Sequence, residues 1–294
     1  MHCRIGLARS GLLPDASACV ILVHNWIWLG QSRQKEGADM SRIFITGSTE
    51  GLGRAAAEAL MDDGHEVILH ARSPERAAAL DGLGKRSGGL VVGDLSSAAQ
   101  TRDVADQVNA LGRMDAIIHN AGIYSTADRG PAAEGHATIF AVNSLAPYML
   151  TALIDRPSRL VYLSSSLHRG GEGSLDDLDW EKREWDAGKA YAETKLHVAA
   201  LAAALSRRWP DVVCSAVDPG WVRTRMGGAS APVDIDTGRR TQVWLAASND
   251  PAALVSGRYW HDLQMEEPAG EVTDTGFQDR LLQRLEEITG IGLP

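Results

Sequence analysis

The chain predicts a doubly wound α/β fold, an open sheet of about seven mainly parallel strands with helices on both faces. Three observations carry that prediction. Short apolar runs alternate with longer helical stretches from Ser41 onward. Most of the runs are apolar throughout instead of alternating, as strands covered on both faces require. The β–α alternation is regular, with no internal repeat and no low-complexity linker, which favours right-handed crossovers within one sheet.

Taken in order, the strands are expected at 42–47 (RIFITG), 66–71 (EVILHA), 89–94 (GLVVGD), 115–122 (DAIIHNAG), 159–165 (RLVYLSS) and 212–220 (VVCSAVDPG), with a seventh at 257–261 (GRYWH). Helical windows fall between them at 53–64, 73–84, 98–112, 138–154 and 190–209. Pro147 lies inside the fourth of these, where it must kink the helix or start a second segment. A closing amphipathic helix at 277–289 places Leu281, Leu282, Leu285 and Ile288 on one face.

At 294 residues, with 44% hydrophobic and 23% charged residues, the chain has the make-up of a soluble globular protein. A formal charge of −9 argues against nucleic acid as a partner, because a polyanion needs a basic face. Cys3, Cys19 and Cys214 are scattered without disulfide or metal spacing, which points to a reducing, cytoplasmic setting. No HxH or HExxH spacing occurs, so no metal is expected. Residues 1–39 include the apolar stretch ASACVILVHNWIWLG, shorter than the roughly 20 residues of a membrane span and interrupted by His24 and Asn25. A signal peptide or interfacial anchor stays open there. The preferred expectation is a disordered extension or a mis-assigned start, with Met40 as initiator and residues 40–294 as a single domain.

TGSTEGLG (46–53) joins the first strand to the first helix. Gly47, Gly51 and Gly53 remove β-carbons where the chain turns tightly, and the helix N-terminus offers free N–H groups to a phosphate. The spacing differs from GxGxxG, and ordinary strand-to-helix turns use glycine too. After the second strand, HAR (70–72) lacks the acidic residue that would accept the ribose hydroxyl of NAD. Arg72 suits a 2′-phosphate, with Ser73 as a further donor, so NADP is favoured and NAD stays open; Glu50 in the loop works against that choice. In AYAETKLH (190–197), Tyr191 and Lys195 stand four apart on a helical window and can face one spot. A charged Lys195 there would lower the phenol pKa from about 10 and let Tyr191 exchange a proton near neutrality. The plain alternative is a surface lysine beside a half-buried ring.

Together these motifs resemble the short-chain dehydrogenase/reductase superfamily, with its Rossmann-type sheet. TGSTEGLG is similar to its cofactor loop, HNAG (119–122) to its NAG motif, AYAETK to its YxxxK helix, LSSS (163–166) to its serine turn and PGWVRT (219–224) to the segment after its sixth strand. The resemblance covers residues 41–265 in the family's order. The long stretch between the serines and Tyr191 resembles the retinol-dehydrogenase-like branch. The resemblance implies an NAD(P)-dependent oxidoreductase acting on CH–OH groups. Tyr191 would be the acid/base, Lys195 its electrostatic partner, and a serine would hold the substrate oxygen. The family's placement selects Ser165, with Ser164 and Ser166 left open. Asn143 would support a relay to the lysine. Cofactor contacts would come from Gly47, Ser48, Glu50, Gly51, Leu52, Gly53, Arg72, Ser73, Asp94, Leu95, Asn120, Ala121, Gly122, Tyr191, Lys195, Pro219, Gly220, Val222 and Thr224.

Tyr124, Leu167, His168, Trp185, Trp221 and Met226 follow motifs expected near the nicotinamide end and suggest an apolar, aromatic-lined pocket for a lipophilic carbonyl or alcohol. A catalytically silent dinucleotide-binding regulator is the competing class, opposed by the retention of Tyr191, Lys195, Asn143 and the serines. A nucleotide-sugar epimerase is less suited, since only 70 residues follow Thr224. A homo-oligomer is compatible with the sequence, and no number is selected.

Overall fold

The apolar runs pair into one sheet in the computed structural model, which describes residues 40–124 and 127–294. The expectation for residues 1–39 falls outside the described residues. Strands β1 (Arg42–Ile45), β2 (Glu66–Ala71), β3 (Gly89–Val92), β4 (Ala116–His119), β5 (Arg159–Leu163), β6 (Val213–Asp218) and β7 (Arg258–His261) are all parallel. An eighth strand, β8 (Gln264–Glu266), returns antiparallel to β7, one more than expected. Its turn places Asp262 and Leu263 at φ 45° and 64°, the two positive values of a type I′ hairpin, without the glycine that usually signals one.

The sheet order is β3-β2-β1-β4-β5-β6-β7-β8. It reverses between β1 and β4, and the crevice at such a switch point is where open α/β sheets bind ligands. Helices α1 (Gly51–Asp62), α2 (Pro74–Ala78), α3 (Asp81–Arg86) and α4 (Ala98–Ala110) follow the first three strands. Between β4 and β5 lie α5 (Thr138–Phe140), a π-helical turn (Ala141–Leu145) and α6 (Ala146–Leu153). Pro147 sits in the first turn of α6, where its missing N–H is tolerated, so the irregular backbone falls just before it. The long helix α7 (Ala187–Arg208) precedes β6; α8 (Ile235–Ala247), α9 (Gly270–Thr273) and α10 (Thr275–Thr289) complete the chain.

Alternate residues of each strand serve different cores, which is why the runs read as apolar throughout. Phe44, Ile117, Leu160 and Cys214 pack on one face with Val104, Leu150 and Leu201 from α4, α6 and α7. Ile43, Ile45, Ile118, Val161 and Val217 pack on the other with Ala56 and Leu60 of α1 and Leu245 of α8. Each fully buried Ile, Leu or Phe contributes about 1.5–3 kcal/mol relative to exposure. Leu281 and Leu285 of α10 are buried and Leu282 and Ile288 partly so, closing the first of these cores.

Ser97, Asp186 and Asp234 cap α4, α7 and α8 by accepting the N–H groups of Gln100, Lys189 and Thr237. α1 has no side-chain cap and no acidic residue in its first turn. Its positive end faces the switch point unquenched.

Candidate active site

The loop before α1 is shaped by glycines and held by a histidine. Gly47 and Gly51 have φ of 64° and 59°, a region that favours glycine. A β-carbon on Gly53 would run into the Asn120 amide and the Gly47 carbonyl. Asn120 Nδ2 donates to the carbonyls of Thr46 (2.9 Å) and Gly47 (3.2 Å), and Ala121 N–H donates to Thr46 Oγ1 (2.9 Å). Gly47 N–H donates to His70 Nδ1 (2.9 Å), so the ring proton sits on Nε2, which donates to the Gly93 carbonyl (2.9 Å). Buried Ser48 completes the join, its Oγ accepting from His70 N–H (2.8 Å).

Around the loop, the expected contacts divide. The Glu50 side chain turns from α1 to Arg76 (3.0 Å) and toward Arg225 (3.8 Å). Arg72 is exposed and makes no ion pair among the described residues. Ser73 accepts the Arg76 N–H (3.4 Å) as the cap of α2. Asp94 Oδ1 accepts from Ser96 N–H (2.9 Å), while the Leu95 side chain enters the core, leaving only its backbone for a ligand. Leu52 and Val222 pack against Gly238 of α8, where a β-carbon would lie 2.5 Å from Val222. Gly220 has φ 79°, and Pro219 before it turns the chain out of β6. The Thr224 hydroxyl accepts from Gly227 N–H (3.1 Å) and its methyl approaches Gly51, closing the cleft opposite the glycine loop.

At the other end of the crevice, the i, i+4 spacing does bring Tyr191 and Lys195 together. Lys195 Nζ lies 5.4 Å from the Tyr191 ring centroid and donates to the Leu163 carbonyl (2.8 Å). Of the three serines, Ser165 is the one whose hydroxyl acts on the phenol, drawing its pKa down. Ser164 Oγ is buried and donates to the Lys195 carbonyl (2.8 Å), and Ser166 is exposed. Gly122 lets both Lys195 Nζ and Asn143 Oδ1 approach; each lies 3.4 Å from where its β-carbon would stand. Asn143 sits in the π turn, a geometry frequent at functional sites. Its Oδ1 accepts from Ile123 N–H (2.9 Å) and its Nδ2 donates to the Ile123 carbonyl (2.9 Å) and Thr194 Oγ1 (3.1 Å). Both Nδ2 hydrogens and one acceptor position of Oδ1 are thus taken by protein groups.

The expected lowering of the phenol pKa is reversed. Burial pushes Tyr191 up to about 12, against the opposing pull of the Ser165 hydrogen bond. Burial also pulls Lys195 down to about 8, with the Asp218 carboxylate resisting. The lysine ammonium is aimed at the Leu163 carbonyl and not at the phenol oxygen, so desolvation outweighs it.

Residues 171–186 form the wall beside α7. Glu193, between Tyr191 and Lys195, is buried and bidentate to Arg183 (2.7 and 3.0 Å), and accepts the Trp180 indole N–H (3.0 Å). The Arg183 guanidinium stacks 3.9 Å from the Trp180 ring centroid, and Trp180 meets Trp185 edge-on. Tyr124 meets Tyr191 edge-on at 4.8 Å. Tyr124, Leu167, Trp221 and Met226 are between 41% and 58% exposed, whereas His168 is fully buried and takes no part in any open pocket. Among the described residues there is no cluster of three His, Cys, Asp or Glu that could hold a metal, and no helix long and apolar enough to cross a membrane.

A sequence model described as short chain dehydrogenase matches residues 41–158. An uncharacterized oxidoreductase of Emericella nidulans, AN7799, is 41% identical over 260 residues, covering 87% of this chain and 99% of the relative. The chain belongs to the short-chain dehydrogenase family. Retinol dehydrogenase 13 of Homo sapiens is 28% identical over 313 residues, covering 96% of this chain and 94% of that one, in keeping with the retinol-dehydrogenase-like branch. The solved structure of an uncharacterized protein from Mycobacterium paratuberculosis superposes with a TM-score of 0.74 at 25% identity, over 86% of this chain and 95% of the other. This short-chain dehydrogenase is thus an oxidoreductase of CH–OH groups that works with a nicotinamide dinucleotide.

Three residues at this short-chain dehydrogenase's site escaped the sequence reading. His70 lies in HAR, where nothing in the sequence signals its bond to the Gly47 N–H. For Glu193 the one signal in the sequence is an opposite charge, Arg183, ten residues earlier. Asp218 precedes Pro219 as turn residues often do.

Proposed function

We propose that this short-chain dehydrogenase is an NADP-dependent enzyme interconverting a ketone or aldehyde with an alcohol on a lipophilic or aromatic small molecule. The observation that carries this reading is the meeting of the Tyr191 and Ser165 hydroxyls beside buried Lys195 at the sheet's C-terminal edge. A phosphate-bearing ligand fits the residues present: the loop lacks β-carbons at Gly47, Gly51 and Gly53, and the uncapped end of α1 faces it. When bound, a nicotinamide dinucleotide supplies hydride exchange at carbon.

The protein's own groups supply the proton and the orientation. Ser165 donates a hydrogen bond to the substrate oxygen as charge develops there. Tyr191 delivers the proton in reduction; with a pKa near 12 it is fully protonated at neutrality, which favours that direction. Lys195, near 8, is mostly charged at pH 7 and stabilises the tyrosinate left behind. Asn143 fixes the Ile123 backbone and, with Gly122, the lysine's approach.

The preference for NADP is supported by two arginines after β2. Glu50 is offset by Arg76 and Arg225, which removes the objection that its charge raised and leaves Arg72 unspent. Tyr124, Leu167, Trp221 and Met226 support an apolar substrate. Small-molecule turnover in a reducing, cytoplasmic setting accords with the buried free thiol of Cys214. The test is reduction of a panel of lipophilic ketones and aldehydes with NADPH and with NADH, by wild type and by Arg72→Asp. Turnover with NADPH, lost in preference to NADH turnover in the variant, is expected. An unchanged preference removes Arg72 from the 2′-phosphate role.

A further inference from the structure

Asp218 ends β6 inside the protein, 5% exposed, and its carboxylate reaches two different turns. Oδ1 accepts the Gly220 N–H (2.8 Å), a local turn contact common for Asp before Pro-Gly. Oδ2 accepts the Ser166 N–H (3.0 Å) on the turn after β5, a contact that local turn chemistry does not explain. The same Ser165–Ser166 peptide is held on its carbonyl side by His168, whose Nδ1 lies 2.6 Å from the Ser165 oxygen. Ala269 N–H donates to His168 Nε2 (3.0 Å), so the ring proton is on Nδ1 and His168 is a neutral donor to that carbonyl. One peptide is therefore gripped on both faces, and it carries the serine beside Tyr191.

We propose that Asp218 is a positioning residue for the reaction: it sets the Ser165 hydroxyl against Tyr191 and locks the Pro219–Gly220 turn in register with it. The inference rests on the reading of Tyr191, Ser165 and Lys195 as the reacting set. The Asp218 charge acts on Lys195 and Tyr191 from α7, on His168 from the turn after β5 and on Tyr259 from β7, and His261 of β7 lies beside it. His261 Nδ1 lies 3.1 Å from the Asp218 carbonyl and 3.8 Å from its Oδ2. Asp218 favours the charged form of Lys195 against burial, so its loss moves the lysine further down.

Asp218→Asn keeps the shape, removes the charge and turns an amide NH2 toward one of the two N–H donors. We expect kcat to fall by about tenfold or more, with KM for NADPH changed less than about threefold. The alkaline limb of kcat should move down by about one pH unit, and Asp218→Glu should keep the wild-type limb. Wild-type kcat in Asp218→Asn overturns the proposal. So does a fall in kcat with the limb unmoved, which would be mere support of the fold. Tyr191→Phe is run beside it: normal turnover there sinks the reading of the site, whereas a silent Tyr191→Phe with a normal Asp218→Asn sinks this proposal alone. If Asp218→Asn does not fold, Asp218→Ser is judged by the same limb.

Discussion

Burial, more than the neighbouring charge, sets the state of Tyr191 and Lys195, the side chains proposed to react. Tyr191 is held protonated and Lys195 is held with a depressed pKa, and the lysine's depression has a thermodynamic consequence. With its pKa near 8 folded and near 10.5 unfolded, the unfolded chain binds a proton that the folded one resists, so the lysine destabilises the fold fully below about pH 8 and ceases to do so above about 10.5. Lys195→Met should therefore abolish turnover yet stabilise the protein at pH 7 by about 1–3 kcal/mol, part of the gain being offset by the orphaned Leu163 carbonyl. Urea midpoints at pH 7 and pH 10 check this; a variant less stable than wild type at pH 7 contradicts it. At this scale the sequence was informative where spacing decides contact. Tyr191 and Lys195 meet because i and i+4 must on a helix. It was silent where a partner comes from another strand, as with Asp218 and Ser166, and it misjudged the phenol because a spacing carries no measure of desolvation.

The segment before α7 is clamped to that helix by Arg183 and Glu193. Burial raises the Glu193 carboxyl above its ordinary range despite the Arg183 contact, so the pair is held in place at a cost. Removing one partner leaves a buried charge, which costs about 3–5 kcal/mol, whereas replacing both by apolar groups is far milder. Arg183→Met, which strands the buried Glu193 carboxylate, should lose about that much stability and open residues 171–186 to proteolysis, while Arg183→Met with Glu193→Leu should recover most of it. Equal losses in the single and double variants would contradict the clamp. Elements were legible in the sequence where propensity and packing agree, as for β1 to β7 and α1, α4, α7 and α10. α8 was missed because Thr237, Gly238, Thr241 and Val243 depress its helix propensity, Gly238 being required by Val222. β8 was missed because its turn is Asp-Leu. The predicted helix at 73–84 is two short ones, and the one at 138–154 is interrupted by the π turn that carries Asn143.

Across the whole molecule, His70, His119, His168 and His197 are buried and held neutral. Burial pulls all four below the ordinary histidine value, His119 and His197 to about 3. As pH falls below about 6.5 the unfolded chain takes up protons that the folded chain refuses, so stability declines toward acid at about 1.4 kcal/mol per pH unit per histidine. Between pH 7 and pH 5 the loss should reach about 3–5 kcal/mol, seen as a lower urea midpoint at constant ionic strength. Equal midpoints at the two pH values would contradict it. His70 and His168 are also hydrogen-bonded at both ring nitrogens, so their protonation would break the glycine loop's tie to Gly47 and the serine turn's tie to Ala269.

The central claim is that Tyr191 moves the proton while the rest of the fold holds the dinucleotide. Turnover and NADPH binding by Tyr191→Phe, the latter followed by quenching of tryptophan emission, test it together. Turnover should fall by about 10²–10⁴-fold with NADPH binding essentially unchanged. Turnover near that of the wild type would contradict the account.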